Sequence, residues 1–112
     1  WERAAEALLR RHGLQTVARN LSSRFGEHDL VMLDGPVLVF VEVRYRHADR
    51  YGSGADNVDR VKQRKLIRAA RYYLGLHPEA RDRACRFDVV SIGGDGRGNP
   101  SSRWIKDAFD AG

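Results

Sequence analysis

The sequence predicts an α/β domain, a mixed β-sheet flanked by helices with elements in the order α-β-β-β-α-β. Three observations carry that expectation. Helical stripes of apolar residues lie near both 2–12 and 58–76, and an alternating run of Val, Leu and Phe surrounds an Asp-Gly pair at 34–35. A further β-branched run follows the second helix at 86–92. With 112 residues, the chain is expected to form one domain over 1–112.

Each element has its own local cause. Ala5, Leu8, Leu9 and His12 share one stripe of the first helix, and Gly13 ends it. LQTVARNLS, 14–22, reads as a strand, and 22–26 as a turn. EHDLVML and PVLVFVEVR, joined at Asp34-Gly35, read as a β-hairpin. A loop rich in Gly, Asp and Arg covers 47–57, and Asp56 or Asn57 is expected to cap the helix at 58–76. Leu66, Ala69, Ala70 and Tyr73 form that helix's apolar side. RFDVVSI is a strand, GGDGRGNPSS a loop, and SRWIKDAF a short edge strand or an ordered tail.

Composition sets limits on function. Hydrophobic residues make up 42% and charged residues 31%, an ordinary globular mix, and the longest apolar run, 37–41, is too short to span a bilayer. No membrane partner is therefore expected. No secretory signal is visible, although the chain begins at Trp1 and leaves room for a native start or a targeting segment ahead of it. The single cysteine, Cys85, rules out an intrachain disulfide and a Cys-based zinc site, which fits a cytoplasmic protein. Cys85 reads as a small buried side chain beside a strand rather than a reactive thiol. Net charge is +5, and all but Lys62, Lys65 and Lys106 of the 20 basic residues are arginine. Arginine forks onto phosphate, so an anionic polymer is a natural partner, although a GC-rich genome produces the same bias.

The hairpin gathers acids. If Asp34-Gly35 is a two-residue loop, Asp29 lies opposite Phe40 and Glu27 opposite Glu42. Glu27, Asp29, Glu42 and Arg44 then converge on one face, with Asp29 diagonal to Glu42 at roughly 7 Å or less. Two carboxylates at that spacing can share a Mg²⁺ or Mn²⁺ ion; without one they repel and raise each other's pKa. A surface ion-pair cluster around Glu42, Arg44 and Arg46 remains the plain alternative. His28, between two acids in sequence, is expected to face away from them.

GEHDLVMLDGPVLVFVEVRYR resembles the GEIDLI…LVFVEVKxR core of the YraN-type family, bacterial proteins related to Holliday-junction resolvases in the PD-(D/E)xK nuclease superfamily. The E-x-x-A-x-x-x-L pattern at 2–9, ARN at 18–20, VKQRKL at 61–66, RFDVV at 86–90 and WIKDAF at 104–109 extend the resemblance over nearly the whole chain. It implies a restriction-endonuclease-like fold, with Asp29 and Glu42 as metal-binding acids. It places Arg44 where the family's active-site lysine sits, and matches Glu2 to an acid brought from the first helix. Glu2 is equally a first-turn acid favoured by the helix dipole. Glu27 belongs to the family's Gly-Glu pair, and Gln63 matches a helical polar residue near the site. His28 replaces the usual apolar residue.

Arginine at position 44 supplies charge and a bidentate grip on phosphate, but it cannot act as a base. Replacing it with lysine is expected to raise activity. Arg60, Arg64, Arg68 and Arg71 follow i, i+4, i+8, i+11 spacing and form a basic stripe broadened by Lys62 and Lys65, suited to phosphates or simply to solvent. Arg46, His47, Arg50 and Tyr51 lie in or beside the loop after the acidic strand, placed to clamp a nucleic-acid backbone, with Tyr51 either stacking on an unpaired base or simply packing. Trp104, Phe109, Tyr72, Tyr73 and Leu76 read as packing groups. Asp88 is either a support for the site or a buried acid paired with Arg86.

Two functions follow. One is a Mg²⁺- or Mn²⁺-dependent endonuclease on structured or branched DNA, for which a homodimer would suit the substrate's symmetry. The other is a nucleic-acid-binding protein with a nuclease fold and little catalysis. The acidic constellation counts against a further reading, a protein-interaction module built on Trp104 and the tail.

Overall fold

The computed structural model describes residues 2–46, 58–94 and 100–111. Helix α1 spans Glu2–Arg11, followed by strands β1 at Gln15–Ser23, β2 at Gly26–Asp34 and β3 at Val37–Arg46. Helix α2 spans Arg60–Leu76, a 3-10 turn covers Pro78–Ala80, and β4 at Cys85–Gly94 and β5 at Pro100–Phe109 complete the domain. The five strands form one sheet in the order β1-β2-β3-β4-β5. Neighbours are antiparallel except β3 and β4, whose parallel pairing needs a crossover that α2 occupies. The result is a mixed sheet flanked by helices, consistent with a restriction-endonuclease-like arrangement.

Alternation along the strands divides the core. Leu30, Met32, Val39, Val41 and Val90 pack against Ala5 and Leu9 of α1. Val31, Leu38, Phe40 and Phe87 pack against Ala70 and Tyr73 of α2, while Val89 meets Leu66. The helices thus cover opposite faces. Each large side chain buried this way contributes about 1.5–3 kcal/mol, and the central strands are correspondingly apolar on both sides.

Five expectations change. The β2–β3 ladder pairs Asp34 with Val37, so the hairpin loop is Gly35-Pro36 rather than Asp34-Gly35. Proline cannot adopt positive φ; Gly35, at φ 58°, takes the first loop position and Pro36 the second, as in a II′-type turn. Asp59, not Asp56 or Asn57, caps α2, its carboxylate accepting the Lys62 backbone N–H at 2.8 Å. The loop expected at 93–102 is shorter, because Gly93 and Gly94 extend β4 and residues 100–102 begin β5. β5 is a ten-residue edge strand rather than a short one. Finally, Cys85 is exposed at the start of β4, where the strand has not yet passed beneath a helix.

Candidate active site

The β2–β3 ladder ends at Leu30 with Val41. Continued by one residue, this register sets Asp29 directly across from Glu42, a shift of two from the predicted pairing that keeps both on one face. Here the strands stop exchanging backbone bonds. Asp29 Oδ2 instead accepts the Val43 backbone N–H at 2.7 Å, so a carboxylate stands where a ladder carbonyl would be. Facing this point on β1, Asn20 takes a left-handed φ of 49°.

The distortion also redirects His28. Regular alternation would put it beside Leu30 and Met32 and away from the acids. Its ring lies 4.7 Å from Phe40, on the α2 side that also carries Glu42. Only 1% exposed, it has no hydrogen-bond partner on either ring nitrogen among the described residues. Burial, reinforced by the Lys62 charge, lowers its pKa to about 4, so the ring is neutral.

Asp29, Glu42 and Arg44 line one polar cleft of about 440 Å³ together with Tyr45, Asp59 and Lys62. The Glu42 side chain is 12% exposed, and Lys62 Nζ stands 3.4 Å from its Oε2. Burial pushes the Glu42 carboxyl up to about 7; the adjoining Asp29 carboxyl adds to the rise, and Lys62 opposes it. The sequence pattern points to repulsion between the acids as the cause, but desolvation is the larger one.

Among the described residues, no group of three or more His, Cys, Asp or Glu side chains is arranged to hold a metal ion. The Asp29–Glu42 pair fits a narrower demand. Mg²⁺ commonly keeps several waters and takes only one or two protein carboxylates, and two adjoining, desolvated carboxyls gain from a cation between them.

Other predicted residues lie elsewhere. Glu27 is exposed and accepts a bond from Ser22 Oγ at 3.3 Å across the β1–β2 hairpin, so it does not join the acid pair. The two-residue register shift carries it past Glu42. Glu2 lines a different cleft, bounded by Glu6, Arg10, Arg19 and Leu30. Gln63 Nε2 donates to the Val58 carbonyl at 2.8 Å and fastens the chain entering α2. Arg60, Arg64, Arg68 and Arg71 are all exposed on α2, and Arg71 reaches the Ala111 carbonyl at 3.5 Å. The Arg46 side chain, His47, Arg50 and Tyr51 lie outside the described residues.

Lys62, expected to broaden the basic stripe, is not on it. At 3.6 residues per turn it sits roughly 200° around the helix from Arg60, in line with Leu66, Ala69 and Tyr73. A lysine at i, i+4, i+7 spacing from buried residues is the signal that could have found it.

Two further acids are structural. Asp88, 1% exposed, accepts from Arg86 Nε at 2.9 Å and Nη2 at 3.0 Å, from Trp104 Nε1 at 2.9 Å and from the Asp107 backbone at 2.9 Å. It ties β5 to β4 at the bulge where Asp107 has φ 56°, the buried ion pair that is one of its two expected roles. Trp104 is committed to this network and to the α1 side of the core, and Phe109 stacks on Phe87 at 4.8 Å. Glu6, which sequence pattern does not single out, is buried on α1 and bonded by Thr16 and Arg19 of β1; those partners lower its pKa.

A family model described as "Uncharacterised protein family UPF0102" matches residues 1–92. A UPF0102 protein of Xanthomonas euvesicatoria pv. vesicatoria (strain 85-10) is 54% identical over 110 residues, covering 98% of this chain and 88% of its own. One from Xylella fastidiosa (strain 9a5c) is 50% identical over 109 residues, covering 96% and 87%. A third, from Stutzerimonas stutzeri (strain A1501), is 47% identical over 113 residues, covering 97% and 93%.

Proposed function

The chain belongs to the UPF0102 family, and from its acid pair we propose a divalent-metal-dependent endonuclease of the PD-(D/E)xK type that acts on structured or branched DNA. The YraN-type, resolvase-like resemblance of GEHDLVMLDGPVLVFVEVRYR is part of the same proposal, as is a cytoplasmic setting. One observation carries it: the hairpin opens after Leu30 and Val41, and Asp29 and Glu42 meet there in a polar cleft that also holds Arg44.

Phosphodiester hydrolysis forms a bond from water oxygen to phosphorus and breaks the bond to the leaving ester oxygen. The water loses a proton to solvent, and the leaving oxygen gains one. Asp29 and Glu42 would hold a Mg²⁺ or Mn²⁺ ion, which would supply Lewis-acid polarisation and a more acidic water. Arg44 projects from the next position on the same face of β3 and grips a nonbridging phosphate oxygen. On the far side of α2, Arg60, Arg64, Arg68 and Arg71 present exposed charge to the flanking phosphates without reading bases. A two-fold homodimer would offer two such clefts to a symmetric junction.

The test is cleavage of duplex, single-stranded, flap and four-way DNA with Mn²⁺ or Mg²⁺ and with chelator. Expected is metal-dependent cleavage that disappears in Asp29→Asn and Glu42→Gln; cleavage that survives both substitutions assigns the activity elsewhere. Arg44 favours a second reading, binding with little turnover, because a guanidinium cannot accept a proton. Salt-dependent DNA binding with no cleavage under any metal would select it.

A further inference from the structure

We infer that Lys62 is a catalytic residue, the cation that α2 lowers onto the scissile phosphate beside Glu42. The inference rests on the endonuclease proposal and assigns a contact that the strand motif does not contain.

The position is built rather than incidental. Asp59 caps α2 and accepts the backbone N–H of Lys62 itself, and Gln63 ties back to Val58, so the first turn is fastened on both sides of the lysine. Lys62 stands on the same helical stripe as Leu66, Ala69 and Tyr73, the residues that bury α2 against the sheet. Beyond Leu66 the stripe runs past the covered part of the sheet and over the acid cleft. Lys62 lines that cleft together with Asp29, Glu42 and Arg44. The side chain is 46% exposed, and Nζ is 3.4 Å from Glu42 Oε2.

A structural ion pair explains this placement poorly. Half-exposed pairs typically contribute about 1 kcal/mol or less, and this one immobilises a long side chain beside a largely buried acid. The chemistry explains it better. An ammonium has three donors, so it can touch Glu42 and a phosphate oxygen together, whereas the planar fork of Arg44 suits two oxygens in one plane. In the hydrolysis described above, Lys62 stabilises charge developing on the phosphoryl oxygens.

The experiment compares the full chain with Lys62→Met, Lys62→Arg and Lys62→Ala. If Lys62 touches the phosphate, Lys62→Met lowers the cleavage rate at saturating DNA by about 10²–10³-fold. Its melting temperature stays near wild type. Ethylammonium restores part of the Lys62→Ala rate, which a structural role would not allow. Lys62→Met cleaving at the wild-type rate overturns the inference while leaving the nuclease intact. If the wild-type chain cleaves nothing, hydrolysis is excluded separately, and Lys62 is judged by inorganic phosphate titrated onto the Mn²⁺-loaded protein. Phosphate binding that vanishes in Lys62→Met upholds the inference, and equal binding overturns it.

Discussion

The carboxylate of Asp29 accepts the backbone N–H of Val43 at 2.7 Å, at the place where β2 and β3 cease to pair. Asp29 therefore has a structural bond besides any bond to a metal, and substitutions can separate them. An asparagine oxygen can accept the same N–H. Asp29→Asn is expected to keep a near-wild-type melting temperature while losing divalent-ion binding and cleavage. Asp29→Ala leaves that N–H without its acceptor and should cost about 1–3 kcal/mol more in urea unfolding.

Glu42 gives the metal-free protein a pH signature. Its pKa in the fold, about 7, lies above the ordinary 4.5, so the folded state holds a proton that the unfolded chain has released. This contribution to stability is fully present below about pH 4.5 and disappears as pH rises through 7. Glu42→Gln removes the dependence. Unfolding free energies at pH 5 and pH 8 should show the variant gaining on wild type by on the order of 2–3 kcal/mol. Divalent ions compete with the same proton, so Mn²⁺ affinity should strengthen from pH 6 to pH 8.

His28 acts in the opposite direction. Its folded pKa of about 4 lies below the ordinary 6.5, so its contribution is present above pH 6.5 and is lost as pH falls toward 4. Between about pH 4.5 and 6.5 it offsets Glu42. His28→Leu replaces a buried ring, whose two nitrogens have no partner among the described residues, by an apolar group, which should stabilise the fold by about 1–3 kcal/mol at pH 5.5. In that variant stability should decline steadily from pH 5 to 7, since the Glu42 contribution is unopposed. A flat profile in chemical denaturation would contradict the two assignments together.

Arg44 and Lys62 are expected to be partly interchangeable. Arg44→Lys should raise cleavage modestly in the wild-type background and more strongly in Lys62→Met, where the site otherwise lacks an ammonium. Single-turnover rates of the two single variants and the double variant measure that coupling.

The exposed stripe on α2 has a separate readout. Charge reversal at Arg64 and Arg68 should weaken binding to all DNA sequences alike. It should also reduce the slope of log affinity against log salt by about one for each phosphate no longer neutralised. Fluorescence anisotropy across a salt series checks this without requiring turnover.

Most of the framework was legible in local pattern. The apolar stripes of Ala5 and Leu9 and of Leu66, Ala69 and Tyr73 named the buried helix faces, and alternation through 37–43 placed Asp29 and Glu42 on one side of the hairpin. Parity survived an error of two in register because side-chain direction repeats every two residues. Pro36 held the clue to the correct loop: an Asp34-Gly35 turn would make it the flanking residue that donates a backbone N–H back to Leu33, and proline has none.

Contacts between elements distant in the chain were not legible. Nothing local says that β2 parts from β3 at Asp29, that His28 then turns under α2, or that Glu27 is left at the far hairpin. Basic neighbours group Lys62 with a solvent stripe, although its helical phase already matches the core. The sequence by itself determined the elements, their buried faces and the side on which the acids stand, because periodicity and turn chemistry act over a few residues. Only the tertiary structure decided which cation meets Glu42 and how deeply that acid is desolvated. Both depend on where a helix twenty residues further along comes to rest against the open end of a hairpin.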